Sequence, residues 1–138
     1  PSEPEPAALP PPGGPAHILV VDDEAVIREM AEAMLARLGC RATLCQDGRE
    51  AVKFYQENWR NVDLVILDMI MPVMGGRDAF LAMRAINPNV RAVLSSGYSI
   101  DGQAQEILNE GVLAFLQKPF RMSDLARKVN AALRGEKG

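Results

Sequence analysis

No stretch of this 138-residue chain gathers lysine and arginine into a cluster, and its net charge is −3. Both facts argue against a nucleic-acid surface, which needs positive charge to neutralise phosphates. No apolar run approaches the roughly 18 residues of a membrane span. The N-terminus is proline-rich and acidic rather than basic then apolar, so a secretory leader pattern is missing too. Cysteine is scarce. Cys40 and Cys45 lie five apart with no His or Cys partner at metal-ligand spacing. They are expected as reduced, half-buried residues of a cytosolic protein. Histidine occurs once, as His17 at the start of an apolar run, where an ordinary edge residue is expected rather than a phospho-relay histidine. The chain begins without Met, which suggests a fragment of something longer. What is present is an ordinary globular composition, 48% hydrophobic and 24% charged, enough for one domain with a proper core.

Residues 1–16 hold seven of the ten prolines, with Glu3, Glu5, Gly13 and Gly14, and read as a flexible tether. From residue 17 to 134 apolar runs and amphipathic stretches alternate, leaving 135–138 as a tail. Strands are expected at His17–Val21, Arg41–Cys45, Leu64–Leu67, Val90–Ser95 and Val112–Leu116. The helices expected between them are Ala25–Leu38, Gly48 to about Trp59, Arg77–Ile86, Gln103–Glu110 and Asp124–Leu133. In the first of these Val26, Ile27, Met30, Met34, Leu35 and Leu38 fall at helical spacing. Ser123 is the expected N-cap of the last. The helix at Gln103–Glu110 has the thinnest apolar face, which fits a segment of low local stability.

Five alternations of strand and helix imply an α/β fold with a five-stranded, doubly wound parallel sheet of flavodoxin-like type, (βα)5. Its simplest order is 2-1-3-4-5. Strands 1 and 3 then meet at the switch point, which places Asp22 and Asp23 beside Asp68, with Ser96 and Lys118 on the flanking strand ends. Three converging carboxylates need a counter-charge, and Mg²⁺ is the expected ion because it takes oxygen ligands from one or two carboxylates plus a phosphate. Acids for a metal, a carboxylate nucleophile, a hydroxyl and an ammonium together suit in-line phosphoryl transfer onto a carboxylate.

With those residues in place, residues 17–134 resemble a response-regulator receiver domain, the phospho-accepting module of two-component signalling. VDDE at 21–24 is similar to the family's acidic pair, and LDMIMPVMGG at 67–76 to its phosphorylation strand and loop. Ser96-Gly97 matches a Thr/Ser-Ala/Gly position, and FLQKPF at 115–120 an aromatic position followed by Lys-Pro. The one departure in the loop is Gly75, where Asp or Asn is frequent. The resemblance implies that Asp68 accepts the phosphoryl group. It implies that Asp23 ligates Mg²⁺ directly, that Asp22 supports the ion through water, and that the Ile70 backbone carbonyl completes the protein ligands, with Mn²⁺ able to substitute. Ser96 and Lys118 would hold phosphoryl oxygens, and Phe115 would change rotamer on activation. The implied partner is a histidine kinase or a histidine phosphotransfer domain, acting in the cytoplasm. No nucleic acid or membrane contact is expected of this domain. The SSGYS turn and the FLQKPF end resemble receivers at the C-termini of hybrid sensor histidine kinases. That parent is preferred to a free-standing regulator.

Competing readings share parts of the pattern. A flavodoxin-type FMN module needs Ser, Thr and Gly after strand 1, where Asp22-Asp23-Glu24 would repel phosphate. An aspartate-nucleophile phosphatase needs an acid two residues after the nucleophile, and Ile70 stands there. A degenerate receiver would not keep all five residues. Two expectations remain. Lys118 must turn back over the strand tips, so the Lys118–Pro119 bond should be cis. Ile70 and Tyr98 should border the phosphoryl group and slow its loss to water.

Overall fold

A computed structural model describes residues 15–97 and 102–137. Five strands appear where apolar runs fall: β1 (His17–Val21), β2 (Arg41–Cys45), β3 (Leu64–Asp68), β4 (Ala92–Ser96) and β5 (Ala114–Gln117). All pairings are parallel, in the order β2-β1-β3-β4-β5. The expected doubly wound sheet is therefore the observed one. Every residue of β1, β3 and β4 is buried, as continuous apolar strands covered on both faces require. β2, one of the two edge strands, is buried only at Cys45.

Alternation along the strands divides the interior in two. Ile18, Val20, Leu64, Ile66, Val93, Ala114 and Leu116 face α1 (Ala25–Arg37) and α5 (Met122–Leu133). Leu19, Val21, Val65, Leu67, Leu94 and Phe115 face α2 (Gly48–Asn58), α3 (Gly76–Ile86) and α4 (Gly102–Asn109). Each fully covered Leu, Ile or Val contributes about 1.5–3 kcal/mol relative to exposure. Two helices end in the same way. Gly39, at φ +80°, follows α1 and Gly135, at φ +76°, follows α5. In both, paired backbone bonds return to the last turn, from Gly39 and Cys40 to Ala36 and Leu35, and from Gly135 and Glu136 to Ala132 and Ala131.

Two local expectations are corrected. Val26 is 72% exposed rather than inward. The buried stripe of α1 runs through Ile27, Ala31, Met34, Leu35 and Leu38, and Val26 sits about 100° off it. Ser123 is not the N-cap of α5. The helix starts at Met122 with Arg121 as its cap residue, and no side chain closes it. Leu125 N–H already donates to Arg121 C=O, which draws Ser123 into the first turn. By contrast α2 is closed by a side chain, with Asp47 accepting from Glu50 N–H at 2.8 Å.

His17 is buried and structural, its Nδ1 donating to Asn61 C=O at 2.8 Å and its Nε2 lying 2.7 Å from Thr43 Oγ1. Both cysteines are free thiols and lie deeper than half-buried. Burial, then Glu50 and Asp47, pushes the Cys45 thiol up to about 12. It is inert at neutral pH. No described helix is long and apolar enough to cross a membrane.

Candidate functional site

Parallel strands all end at one edge, and the three acids meet there. Asp22 and Asp23 follow β1, and Asp68 is the last residue of β3, because Val21 pairs with Leu67 in register. One carboxylate oxygen from each lies within 4.8 Å of the others. Asp22 and Asp68 are buried, while Asp23 is exposed. Lys118 reaches over from beyond β5, its Nζ 3.0 Å from Asp22 Oδ2 and 3.3 Å from Asp68 Oδ1. The Lys118–Pro119 bond is cis, as expected.

Charge in this cluster is unbalanced. Desolvation, then Asp22, raises the Asp68 carboxyl to about 6, with Lys118 opposing and Asp23 adding to the rise. Burial alone would lower Lys118, but bonds and charge from Asp22 and Asp68 outweigh it and hold the ammonium above its ordinary range. Three acids against one ammonium leave room for a hard dication, and an all-oxygen donor set with one exposed member fits Mg²⁺. When bound, such an ion neutralises the carboxylates and polarises a phosphoryl oxygen.

Glycine sets the floor of the site. A Cβ at Gly76 would lie 2.4 Å from the Asp68 carbonyl oxygen, so the first turn of α3 can dock there only without a side chain. A Cβ at Gly48 would lie 2.5 Å from Met74 O, which presses the β3–α3 loop against the start of α2. Met69 N–H donates to Ser95 C=O at 2.8 Å, and Asp68 is in register with Ser95.

The remaining predicted residues fall around this floor. Ser96 is the buried last residue of β4, inside the strand rather than in the turn, and its neighbour Ser95 is buried too. Phe115 is already inward, 5% exposed in the core under α2, α3 and α4. Its carbonyl accepts from Lys128 Nζ of α5. Ile70, two residues after Asp68, is 61% exposed. Tyr98 lies outside the described residues. Just after α4, Glu110 makes a two-pronged pair with Arg77 at 3.0 and 2.8 Å, and its carbonyl accepts from Arg84.

Sequence reasoning missed Gly76, Lys128 and Arg28. Arg28 donates to the Asp22 carbonyl at 2.7 Å. Its position four residues after an acidic turn, on the first turns of a helix, was the available signal.

The response regulator receiver domain family matches residues 18–130. The chain belongs to this family. The receiver is 32% identical over 115 residues to the chemotaxis protein CheY of Thermotoga maritima, covering 83% of this chain and 94% of that one. It is 31% identical over 120 residues to the sensor kinase CckA of Brucella abortus, covering 87% of this chain but only 13% of the kinase. Among solved structures, it matches the receiver domain of a sensor histidine kinase from Pseudomonas aeruginosa PAO1, which carries a magnesium ion in its active-site cleft. That match has a TM-score of 0.79 and 29% identity, covering 88% of this chain and 99% of the other. The relatives thus include both a kinase of which the receiver is a small part and a regulator of nearly the same length. This chain is a receiver domain of two-component signalling.

Proposed function

We propose that Asp68 is the phospho-acceptor and that its donor is a phosphohistidine on a histidine kinase or phosphotransfer domain. The observation that carries this is a buried carboxylate at a strand tip, 3.3 Å from Lys118 Nζ and grouped with Asp22 and Asp23. An Asp68 carboxylate oxygen bonds to phosphorus while the phosphorus–nitrogen bond to the imidazole breaks, and the electron pair leaves with the ring. Asp23, Asp22, Asp68 and the Ile70 carbonyl would hold Mg²⁺ or Mn²⁺, the ligand chemistry being all oxygen. Lys118 holds one phosphoryl oxygen and Ser96 another. Ile70 carries no acid to protonate an alkoxide, so an imidazole leaving group suits this site better than a phosphate ester.

Activation on this reading draws Ser96 toward the phosphoryl group and favours the inward rotamer in which Phe115 stands. The face of α4, β5 and α5 is remodelled as a result. The parent we favour is a hybrid sensor histidine kinase acting in the cytoplasm, joined through residues 1–16 as a tether whose last residue, Ala16, is buried and accepts from Arg41 N–H, with residues 135–138 as a tail. A free-standing regulator is the second reading, favoured by the 94% coverage of the Thermotoga CheY. Neither nucleic acid nor membrane is a partner on this reading, in keeping with the net charge of −3.

The test is phosphorylation by acetyl phosphate followed by intact mass. One phosphoryl increment should appear with Mg²⁺ or Mn²⁺ and vanish with chelator or in Asp68→Asn. An increment that survives Asp68→Asn would mean a different nucleophile.

A further inference from the structure

Asp22 is tied at every polar group it has. Its N–H donates to Cys45 C=O at 3.1 Å, extending the β1–β2 ladder by one bond. Its Oδ1 accepts from Glu24 N–H at 2.9 Å and its Oδ2 from Lys118 at 3.0 Å. Its carbonyl accepts from Arg28 Nη1 at 2.7 Å. The first three are strand pairing, turn closure and the ion pair of the site. The fourth comes from a half-buried arginine on α1 that has no part in the chemistry above.

The start of α1 makes this bond matter. Glu24, its cap residue, closes no orphan N–H with its side chain, and the first turn carries no acid. The turn Asp22-Asp23-Glu24, which bears two of the three acids, is therefore fastened to α1 through Asp22. A charge-assisted bond to a carbonyl at the end of a buried strand is among the stronger ties available there.

We propose that Arg28 is a positioning residue for the divalent cation, setting the angle at which Asp22 and Asp23 face Asp68. This rests on the reading of the acid cluster as the cation site. Electrostatics gives the test its sign. A guanidinium beside the site repels a dication, so removing a bystander charge tightens Mg²⁺ binding. Removing a group that aims the ligands weakens it, by about tenfold for typical groups behind a metal's ligands.

The experiment titrates the purified domain with MgCl₂ alone, by calorimetry at constant ionic strength. Arg28→Met keeps the aliphatic stem and removes the donor. Arg28→Ala is its companion, and Arg37→Ala, at the exposed end of α1, is the control. Both Arg28 variants should bind Mg²⁺ about tenfold more weakly, with Arg37→Ala unchanged. In metal-free protein, the Glu24 amide should exchange faster in Arg28→Met than in wild type. Equal or tighter Mg²⁺ binding by folded Arg28→Met overturns the proposal. Failure of both variants to fold would assign Arg28 to stability and overturn it as well. If wild type takes up no Mg²⁺, the cation site itself falls, an outcome distinct from wild type and variant binding alike.

Discussion

Lys118 stands closer to Asp22 than to Asp68, with Nζ at 3.0 Å from the one and 3.3 Å from the other. The ammonium thus serves first as the counter-ion of Asp22 and second as a neighbour of Asp68. On the proposed function, holding a phosphoryl oxygen would require it to exchange part of that first contact.

Lys118→Met separates two effects of this ammonium. Removing a buried cation from an acid cluster should tighten Mg²⁺ binding several-fold, because the repulsion of a dication is lost. The same change should slow phosphorylation by acetyl phosphate at saturating Mg²⁺, because no fixed positive charge meets the developing phosphoryl charge. Calorimetry and mass-shift kinetics on one protein preparation check both. Parallel changes in the two would contradict the assignment.

Asp68 also makes stability depend on pH. Its ordinary value of 3.8 becomes about 6 in the fold, chiefly through desolvation. Between those values the folded state keeps a proton that the unfolded state has released. Stability from this group is therefore greatest below about pH 4, falls as pH rises to about 6, and stays lower at pH 7. Asp68→Asn should raise metal-free stability at pH 7 by about 1–3 kcal/mol and flatten that window. Urea unfolding of both proteins at pH 4.5 and 7 measures the difference. A variant less stable than wild type at pH 7 would refute the expected sign.

Gly76→Ala tests the floor of the site. A new Cβ 2.4 Å from the Asp68 carbonyl oxygen forces α3 away from β3. The expected loss is about 1–3 kcal/mol, as for other overpacked positions. Phosphorylation should fall even where the variant is folded, since the shift is passed directly to Asp68, the proposed acceptor. Gly97→Ala is the control, because a Cβ there meets nothing within 4 Å.

The lifetime of the phosphorylated form should depend on Ile70 and Tyr98. Ile70 has no polar side-chain atom to align water, and the residue is 61% exposed. Ile70→Asn combined with Tyr98→Ala should speed loss of phosphate after the donor is removed. Decay followed by intact mass decides it, and equal rates in wild type and double variant would end the idea.

Much of this arrangement was legible in the sequence for a physical reason. A strand covered on both faces must be apolar throughout, so Leu64–Leu67 announces itself, and the first carboxylate after it marks the sheet edge. Parallel connection then brings Asp22, Asp23 and Lys118 to that edge without further information. Periodicity was less reliable where a helix begins. Val26 matched a loose apolar pattern, yet one residue of offset turned it to solvent. Ser123 had the right chemistry for a cap, but the backbone entered the helix earlier, at Met122. Arg28 and Gly76 were hidden because each acts on a main-chain carbonyl, and carbonyls carry no signature in residue identity.

The close approach at Gly48 and Gly76 has a consequence for mutational tolerance. Both helices meet the β3–α3 segment main chain to main chain, at Met74 and at Asp68. The Met74 and Leu94 side chains also border these positions, but the nearest atom in each case is a main-chain oxygen, so the placement of Asp68 rests first on backbone contacts. A library varying Ile70 or Val73 can alter the affinity and kinetics of the site while the aspartate keeps its station, whereas a Cβ at Gly75 would lie 3.2 Å from the Met69 carbonyl oxygen. The same library extended to the two glycines would move the aspartate itself.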